Sequence, residues 1–556
     1  MSPEKRSTMR TFDRRTMLKG TAVSSAALAA GGLLGYSPRL VSAQDASPAA
    51  AGVQGGEFRT GAAQDATSMH PFTNTDTASF SYIDLVNWLP PLRYNPDTME
   101  LEPFAAESYE ESEDHLAVTF AMKQDLLWSD DTPLTANDYV WTWEQAINPD
   151  NEWPRLGSYE PFIESITAAD DYTLEVAFKE AIATSIEKAS NALAYVLPAH
   201  IWQDLPWNDP EANSEIMAPS VSAGPFVLQE WRKDQFAAFT ANENFFLGRP
   251  NFDTYTVQLY GNANVAMEAL FSGELDEFGP DNENWPDAQE NENVQALQWD
   301  APNNAVMYFG FNCRMPMFQD MKVRQALNYA LDKELITQEL TYGLGQRATG
   351  MYLPTSWAYN PDVETFAYDV DKANALLDEA GWVPGDDGVR EKDGERLSFQ
   401  FIYGPNNDII REQMATVAQE FWGEVGAEVE VLGMEWGAYL SMTREGPYDW
   451  GVFMNMYIPA VDPDMIWFKK DAGPAYNRVG YENDRVFELY DQALLEFDRE
   501  KRKEMYMQIQ QILTEESPWI WIYYEQGHTA FSNRVKGVEI NDLGLNDVWE
   551  WYIEEE

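Results

Sequence analysis

The sequence predicts an α/β protein of two or three domains, and three observations carry that reading. From about residue 300 onward, apolar strand patterns alternate with helix patterns, as in a sheet covered on both faces by helices. The chain has 556 residues, room for two or three cores. Its hydrophobic content is 44%, with 20 Trp, 27 Tyr and 28 Phe, which separates it from disordered chains.

The elements follow in order. Gly55-Gly56-Glu57-Phe58-Arg59-Thr60-Gly61-Ala62 has the form of a first strand entering a turn, and the loop Ser68-Met69-His70-Pro71 comes after it. Leu116–Met122 alternates as a strand. Asp130-Asp131-Thr132-Pro133 makes a tight turn, and Thr135, Asn137 or Asp138 then caps a helix that opens on Tyr139-Val140-Trp141-Thr142-Trp143. Thr173–Phe178 reads as a strand. A run of strands begins at Ser222–Phe226 and continues through Phe236–Thr240 and Tyr255–Leu259, followed by a helix over Ala263–Phe271.

In the second half, Val306–Asn312 is a buried-strand run. Val323–Leu335 reads as one helix, with Val323, Leu327, Ala330 and Leu331 on one face. Asp371–Ala380 is a helix stopped by Gly381. Leu397–Tyr403, Glu428–Leu432 and Asp449–Met456 are strands. Between them lie a helix striped by Ile410, Met414, Val417 and Phe421, and a second helix over Trp436–Thr443. Helices near Val486–Phe497 and Lys501–Glu515 lead into Trp519–Tyr524, apolar enough for an interior strand.

Charge and targeting bound the function. The formal charge is −55, with 92 acids against 37 bases. Residues 1–43 hold seven Lys/Arg and two acids, so the rest carries −55 − 5 = −60. Such a field repels nucleic acid and anionic membranes. Arg14-Arg15-Thr16-Met17-Leu18-Lys19, the mild apolar run Ala22–Leu34 and Val41-Ser42-Ala43 resemble a twin-arginine export signal, expected over residues 1–43. Residues 44–56 read as a flexible leader. The expected location is periplasmic or extracellular, with no cysteine for a lipid anchor. The single Cys313 excludes an internal disulfide. His70, His115, His200 and His528 lack metal-ligand spacing, and no nucleophile or phosphate-loop motif occurs. No catalytic residue, metal or cofactor is therefore expected. A secreted glycoside hydrolase, with paired carboxylates in an aromatic cleft, is the enzyme alternative.

Several motifs, in one order, resemble those of the peptide/nickel class of extracellular solute-binding proteins, family 5. Ser129–Asp138 resembles its S-D-G-x-P-x-T-A-x-D, with Asp131 at the glycine. Gly55–Arg59 resembles G-G-x-L/F-R, and Ser68–Pro71 resembles S-L-D-P with His70 at the acid. Asn242–Pro250 resembles N-x-x-Y-W-x-G-x-P, and Ser272–Asp276 resembles S-G-E-x-D. The resemblance implies a two-lobed α/β fold, periplasmic-binding-protein-like, of type II in the large three-subdomain variant, with a ligand cleft between lobes. It implies a non-catalytic monomer that hands a small-molecule solute to ABC transporter permease subunits. The expected division is residues 57–300 for lobe I with an insertion at about 97–217, 301–525 for lobe II, and 526–556 returning to lobe I.

Candidate ligand contacts lie on turns after strands. They are Thr73, Asn74 and Asp76 after Pro71; Asn303 and Asn304 before Val306; Trp436, which resembles a family aromatic near the ligand; and Asn455, Tyr457 and Asp462. Peptide-binding members carry G-W-x-x-D after the strand that corresponds to Asp449–Met456, and its Asp pairs with the peptide amino terminus. A gap-free alignment puts Met454-Asn455 at Gly-Trp and Ile458 at that Asp. Ile458 cannot partner a buried ammonium. Asp462 substitutes only if the loop is rearranged. An oligopeptide-class solute is expected, with a sugar, an opine or a metal chelate as alternatives that need no free amine.

Overall fold

The structure is a computed structural model that describes residues 54–74, 76–299, 305–405, 408–463, 469–470, 473–474 and 476–554. The expected export signal and most of the leader lie outside the described residues. In chain order the main strands are as follows. The first is β1 (Glu57–Ala62). An antiparallel group comes next: β2 (Ala106–Glu111), β3 (Ala117–Met122), β4 (Ile163–Asp170) and β5 (Thr173–Phe178). Then come β6 (Phe226–Arg232), β7 (Phe236–Ala241), β8 (Thr254–Leu259), β9 (Glu277–Phe278) and β10 (Val294–Gln298). The second half holds β11 (Val306–Phe311), β12 (Gly345–Arg347), β13 (Ser398–Tyr403), β14 (Glu428–Gly433), β15 (Val452–Tyr457) and β16 (Trp519–Glu525), and β17 (His528–Ser532) follows.

These strands form three main sheets. A seven-stranded sheet has the order β10-β17-β9-β1-β8-β7-β6, a six-stranded sheet the order β12-β16-β11-β15-β13-β14, and a four-stranded sheet the order β2-β3-β5-β4. Alternation explains β3, where Val118, Phe120 and Met122 are buried and the residues between them half-buried. β11 is buried throughout, and its pleat divides two cores. Val306 and Tyr308 join the cluster that includes Val118, Phe120, Leu174 and Val176 of the four-stranded sheet. Met307, Phe309 and Phe311 join Phe401 and Trp422 on the opposite face.

Local signals account for the boundaries. Thr135 and Asp138 form a reciprocal capping box at the start of α1 (Ala136–Ala146), with the Thr135 N–H donated to Asp138 Oδ2 at 2.9 Å. Asp131, at the glycine of the family signature, has φ +68° and accepts from Asn244 Nδ2 at 2.9 Å. Asp tolerates this left-handed backbone better than most residues, which explains the exchange. One expectation is corrected. The helix read over Val323–Leu335 is two helices, Met321–Tyr329 and Lys333–Leu340. Asp332 between them turns out of the helix and caps the second by accepting from Leu335 N at 3.0 Å.

Candidate functional site

Strand direction decides where a ligand can lie. In the six-stranded sheet, β13, β14 and β15 are parallel, and both β15 and β16 run antiparallel to β11. Tyr403, Gly433, Tyr457 and Glu525 therefore end four strands on one edge, where Val306 begins β11. In the seven-stranded sheet β1, β8 and β9 are parallel, and β17 runs antiparallel to β9 and β10. Ala62, Leu259, Phe278 and Gln298 thus end strands on the edge where His528 begins β17.

The chain passes between these two edges twice, from Gln298 to Val306 and from Glu525 to His528. The second passage has only Gln526 and Gly527 between its strands, so the edges stand within about 11 Å there. The passages are bonded to each other, Trp299 N to Gly527 O at 3.0 Å and Gln298 Nε2 to Gln526 Oε1 at 3.1 Å. Two short crossings that join the carboxyl ends of two sheets make a hinge beside a binding position.

Aromatic side chains build one wall. α2 (Trp436–Arg444) starts on Glu435, whose carboxylate accepts from Gly437 N at 3.0 Å and Ala438 N at 3.1 Å. This cap orients Trp436, which is 38% exposed and stacks on Tyr439 at 5.4 Å and 16°. The Tyr439 hydroxyl donates to Met454 O at 2.6 Å, tying α2 to β15. Asn455 is buried and stands opposite Tyr308 across the β11–β15 pair. Tyr457 packs edge-on to Tyr308 at 6.1 Å, and burial holds its hydroxyl well above the usual pKa, with the neighbouring Tyr524, Tyr352 and Tyr308 adding to the shift.

The other expected contacts stand differently. Asn74 donates to Ser68 O at 3.0 Å, Ser68 Oγ at 2.8 Å and His70 O at 3.0 Å, and Asp76 caps the helix Thr77–Asn87 through Ser79 N at 2.8 Å. Their polarity thus works inside the loop, while Thr73 beside them is half-buried. Asn303 and Asn304 lie outside the described residues. Ile458 is 66% exposed. Asp462, the expected substitute for the missing acid, is held by Arg502 through two bonds of 2.8 and 2.9 Å, an arrangement that does not leave the carboxylate for an ammonium.

Two residues that the sequence reading does not single out send their charges to this wall from backbones near the opposite edge of the sheet, where Phe311 pairs with Val452. Arg444 ends α2, and Arg478 lies two residues after Tyr476. Arg444 Nε and Arg478 Nη1 are buried, and neither has a hydrogen-bond partner among the described residues. Burial lowers the Arg444 pKa, and the charge of Arg478 lowers it further. The Arg478 charge also reaches the hydroxyls of Tyr308 and Tyr439. A buried donor left unsatisfied costs about 1–3 kcal/mol. In the sequence, the only signal is two bases, one at a helix end and one in a loop, in a strongly acidic chain. A separate groove of about 290 Å³ between Tyr329, Phe366, Lys372 and Glu515 contains none of these residues.

The comparisons agree with this architecture. Residues 100–477 match the profile of the bacterial extracellular solute-binding proteins, family 5. The chain is 29% identical over 507 residues to the oligopeptide-binding protein AppA of Bacillus subtilis, spanning 90% of this chain and 92% of that one. It is 27% identical over 497 residues to the dipeptide-binding protein of Escherichia coli, spanning 85% and 90%. The structure of the Bacillus subtilis AppA in complex with a nonapeptide superposes with a TM-score of 0.79 at 27% identity, over 90% of this chain and 99% of that chain. Two sheets joined edge to edge by a double crossing, and a profile match through most of their length, lead to one conclusion: this chain belongs to the bacterial extracellular solute-binding proteins, family 5.

Proposed function

We infer that the chain is the solute-capturing component of an ABC importer, closing two lobes over an oligopeptide-class or related solute and passing it unaltered to a permease. The observation that carries this reading is the double crossing between strand ends, which lets two rigid halves shut on one ligand. In this reading residues 57–300 and 526–556 form lobe I, with the insertion at about 97–217, and 301–525 form lobe II. Trp436, Asn455 and Tyr457 line the ligand, with Arg444 and Arg478 added. Among the described residues no helix is long and apolar enough to cross a membrane, and residues 1–43 supply twin-arginine export of a monomer. The family and its relatives are binding proteins, so a glycoside hydrolase is not favoured.

The test is retention. Purified protein is incubated with mixed short peptides, neutral sugars and organic acids, separated by gel filtration and denatured, and the released molecules are weighed. Recovery of an unaltered solute supports capture, with weak retention of dipeptides and tripeptides because Ile458 stands at the ammonium-pairing position. Conversion of the solute to product would defeat the reading.

A further inference from the structure

Besides the two crossings, a third place joins the halves of this chain. In the lobe division above, the insertion belongs to lobe I and α3 (Asp484–Leu495) to lobe II. The last turn of a helix leaves its carbonyls without partners inside the helix. One of those in α3, Leu494 O, accepts from Ala183 N of the insertion at 2.7 Å. Three residues on, Phe497 stacks on His115 of the insertion, ring centroids 3.9 Å apart and planes at 26°. Lys469 Nζ adds a further contact between the same two parts, 4.9 Å from the centre of the Phe162 ring. None of these residues belongs to the crossings or to the wall of Trp436, Asn455 and Tyr457.

Each face is held in shape by its own bonds. On the insertion, Ser112 Oγ accepts from Leu116 N at 3.1 Å and Ala117 N at 2.9 Å, closing the turn between β2 and β3. Glu111 Oε2 holds His115 Nδ1 at 2.9 Å. On lobe II, Glu496 Oε1 accepts from Asp498 N at 3.0 Å, and Asp498 caps α4 (Arg499–Glu516) through Glu500 N at 3.0 Å. The link that carries Phe497 is thereby fixed. Surfaces ordered in advance meet with little loss of side-chain freedom. The rings also remain partly exposed where they touch, the His115 side chain at 38% and Phe497 at 43%. Parting them uncovers little further apolar area, which suits a contact that is made and broken repeatedly.

We propose that Ala183 and His115 of the insertion, with Leu494 and Phe497 of lobe II, form a clasp that shuts as the lobes close and stabilises the closed state independently of the solute. The proposal rests on the solute-capture reading above. Because its residues are not those of the ligand wall, the clasp weights the closed state alike for every solute. It raises affinity without choosing between ligands, and selection is left to the wall.

The experiment reads the distance between spin labels on Val265→Cys and Ile409→Cys in a Cys313→Ser background, with no solute added. Both side chains are exposed and lie in the first turns of helices that follow strand ends, Val265 after β8 and Ile409 after β13, so their separation follows the cleft. A short and a long distance are expected. Phe497→Ala moves the ratio about threefold to tenfold toward the long distance, the worth of an aromatic pair. His115→Asn, which tolerates the left-handed backbone at φ +57°, does the same from the other side of the contact. Phe497→Tyr keeps the ring and the wild-type ratio. In the retention assay, Phe497→Ala and His115→Asn lower affinity for every retained solute by one common factor of that size or smaller. One distance shared by the wild type and all variants overturns the proposal, because the contact is then a fixed part of the scaffold. A shift in only one of Phe497→Ala and His115→Asn, or a different loss for different solutes, overturns it as well. Retention of nothing from any pool overturns solute capture, while the label distances judge the clasp separately.

Discussion

Replacing Asp462 decides whether that acid serves the fold or the ligand. Arg502 meets it with Nη1 to Oδ2 at 2.9 Å and Nη2 to Oδ1 at 2.8 Å, the side chains being 7% and 15% exposed. Burial alone would lower the Arg502 pKa, but the Asp462 carboxylate and the Tyr506 hydroxyl more than offset it, and the net shift is upward. Without the carboxylate, the guanidinium keeps only Ala493 O at 3.2 Å and the Tyr506 hydroxyl at 3.3 Å. Breaking a buried pair by removing one partner costs about 3–5 kcal/mol, which is expected for Asp462→Ala. Asn retains one acceptor oxygen, so Asp462→Asn loses about 2–3 kcal/mol. Arg502→Met in the Asp462→Ala background then restores part of the loss, because no uncompensated charge remains. Urea denaturation of the wild type, Asp462→Ala, Arg502→Met and the double variant, followed by tryptophan fluorescence, gives the coupling energy, with Asp462→Asn measured beside them. The reasoning is refuted if Asp462→Asn leaves the urea midpoint unchanged and abolishes solute retention, the signature of an ammonium anchor.

Three further outcomes follow from other residues. His70 is fully buried, accepts from Phe72 N at 3.2 Å and lies edge-on to Trp202 and Trp207; burial lowers its pKa to about 3. The folded state therefore holds it neutral while the unfolded chain protonates near pH 6.5, so stability is present above that pH and falls by about 1.4 kcal/mol per unit as the pH drops toward 3. His70→Phe removes this slope in urea midpoints taken between pH 7 and pH 4.5, and parallel curves for the two proteins would contradict the assignment. At Asp131, φ +68° predicts that Asp131→Ala costs about 1–2 kcal/mol in thermal unfolding. Asp131→Gly stays within about 1 kcal/mol, since glycine accepts the backbone but loses the Asn244 bond. Trp436→Ala weakens affinity for a retained solute by about threefold to tenfold in calorimetry, with no change in melting temperature, because the ring is exposed and, among the described residues, stacks only on Tyr439.

Legibility in the sequence tracked the distance over which each cause acts. The capping box of Thr135 and Asp138 spans three residues, and the alternation of β3 spans six, so both could be read directly. The break at Asp332 was missed because a helical stripe and a capping acid compete over the same residues, and periodicity alone favoured the stripe. In sequence, Asp131 at the family glycine is an unexplained exchange, and only the left-handed backbone accounts for it.

The candidate site divided along the same line. Polar residues near strand ends look alike in sequence whether their partners are internal or arrive with a ligand. Asn74 and Asp76 proved to be internal through neighbours within nine residues, and Asp462 through Arg502, forty residues away. Arg444 and Arg478 come from a helix end and a loop, and what marks them is a missing partner, which no local pattern encodes. Polarity in this chain therefore identifies candidates poorly. What separates such candidates from internal groups is hydrogen-bonding capacity left unsatisfied among the described residues, and only the assembled sheet, with β15 set between β11 and β13, shows which side chains keep it.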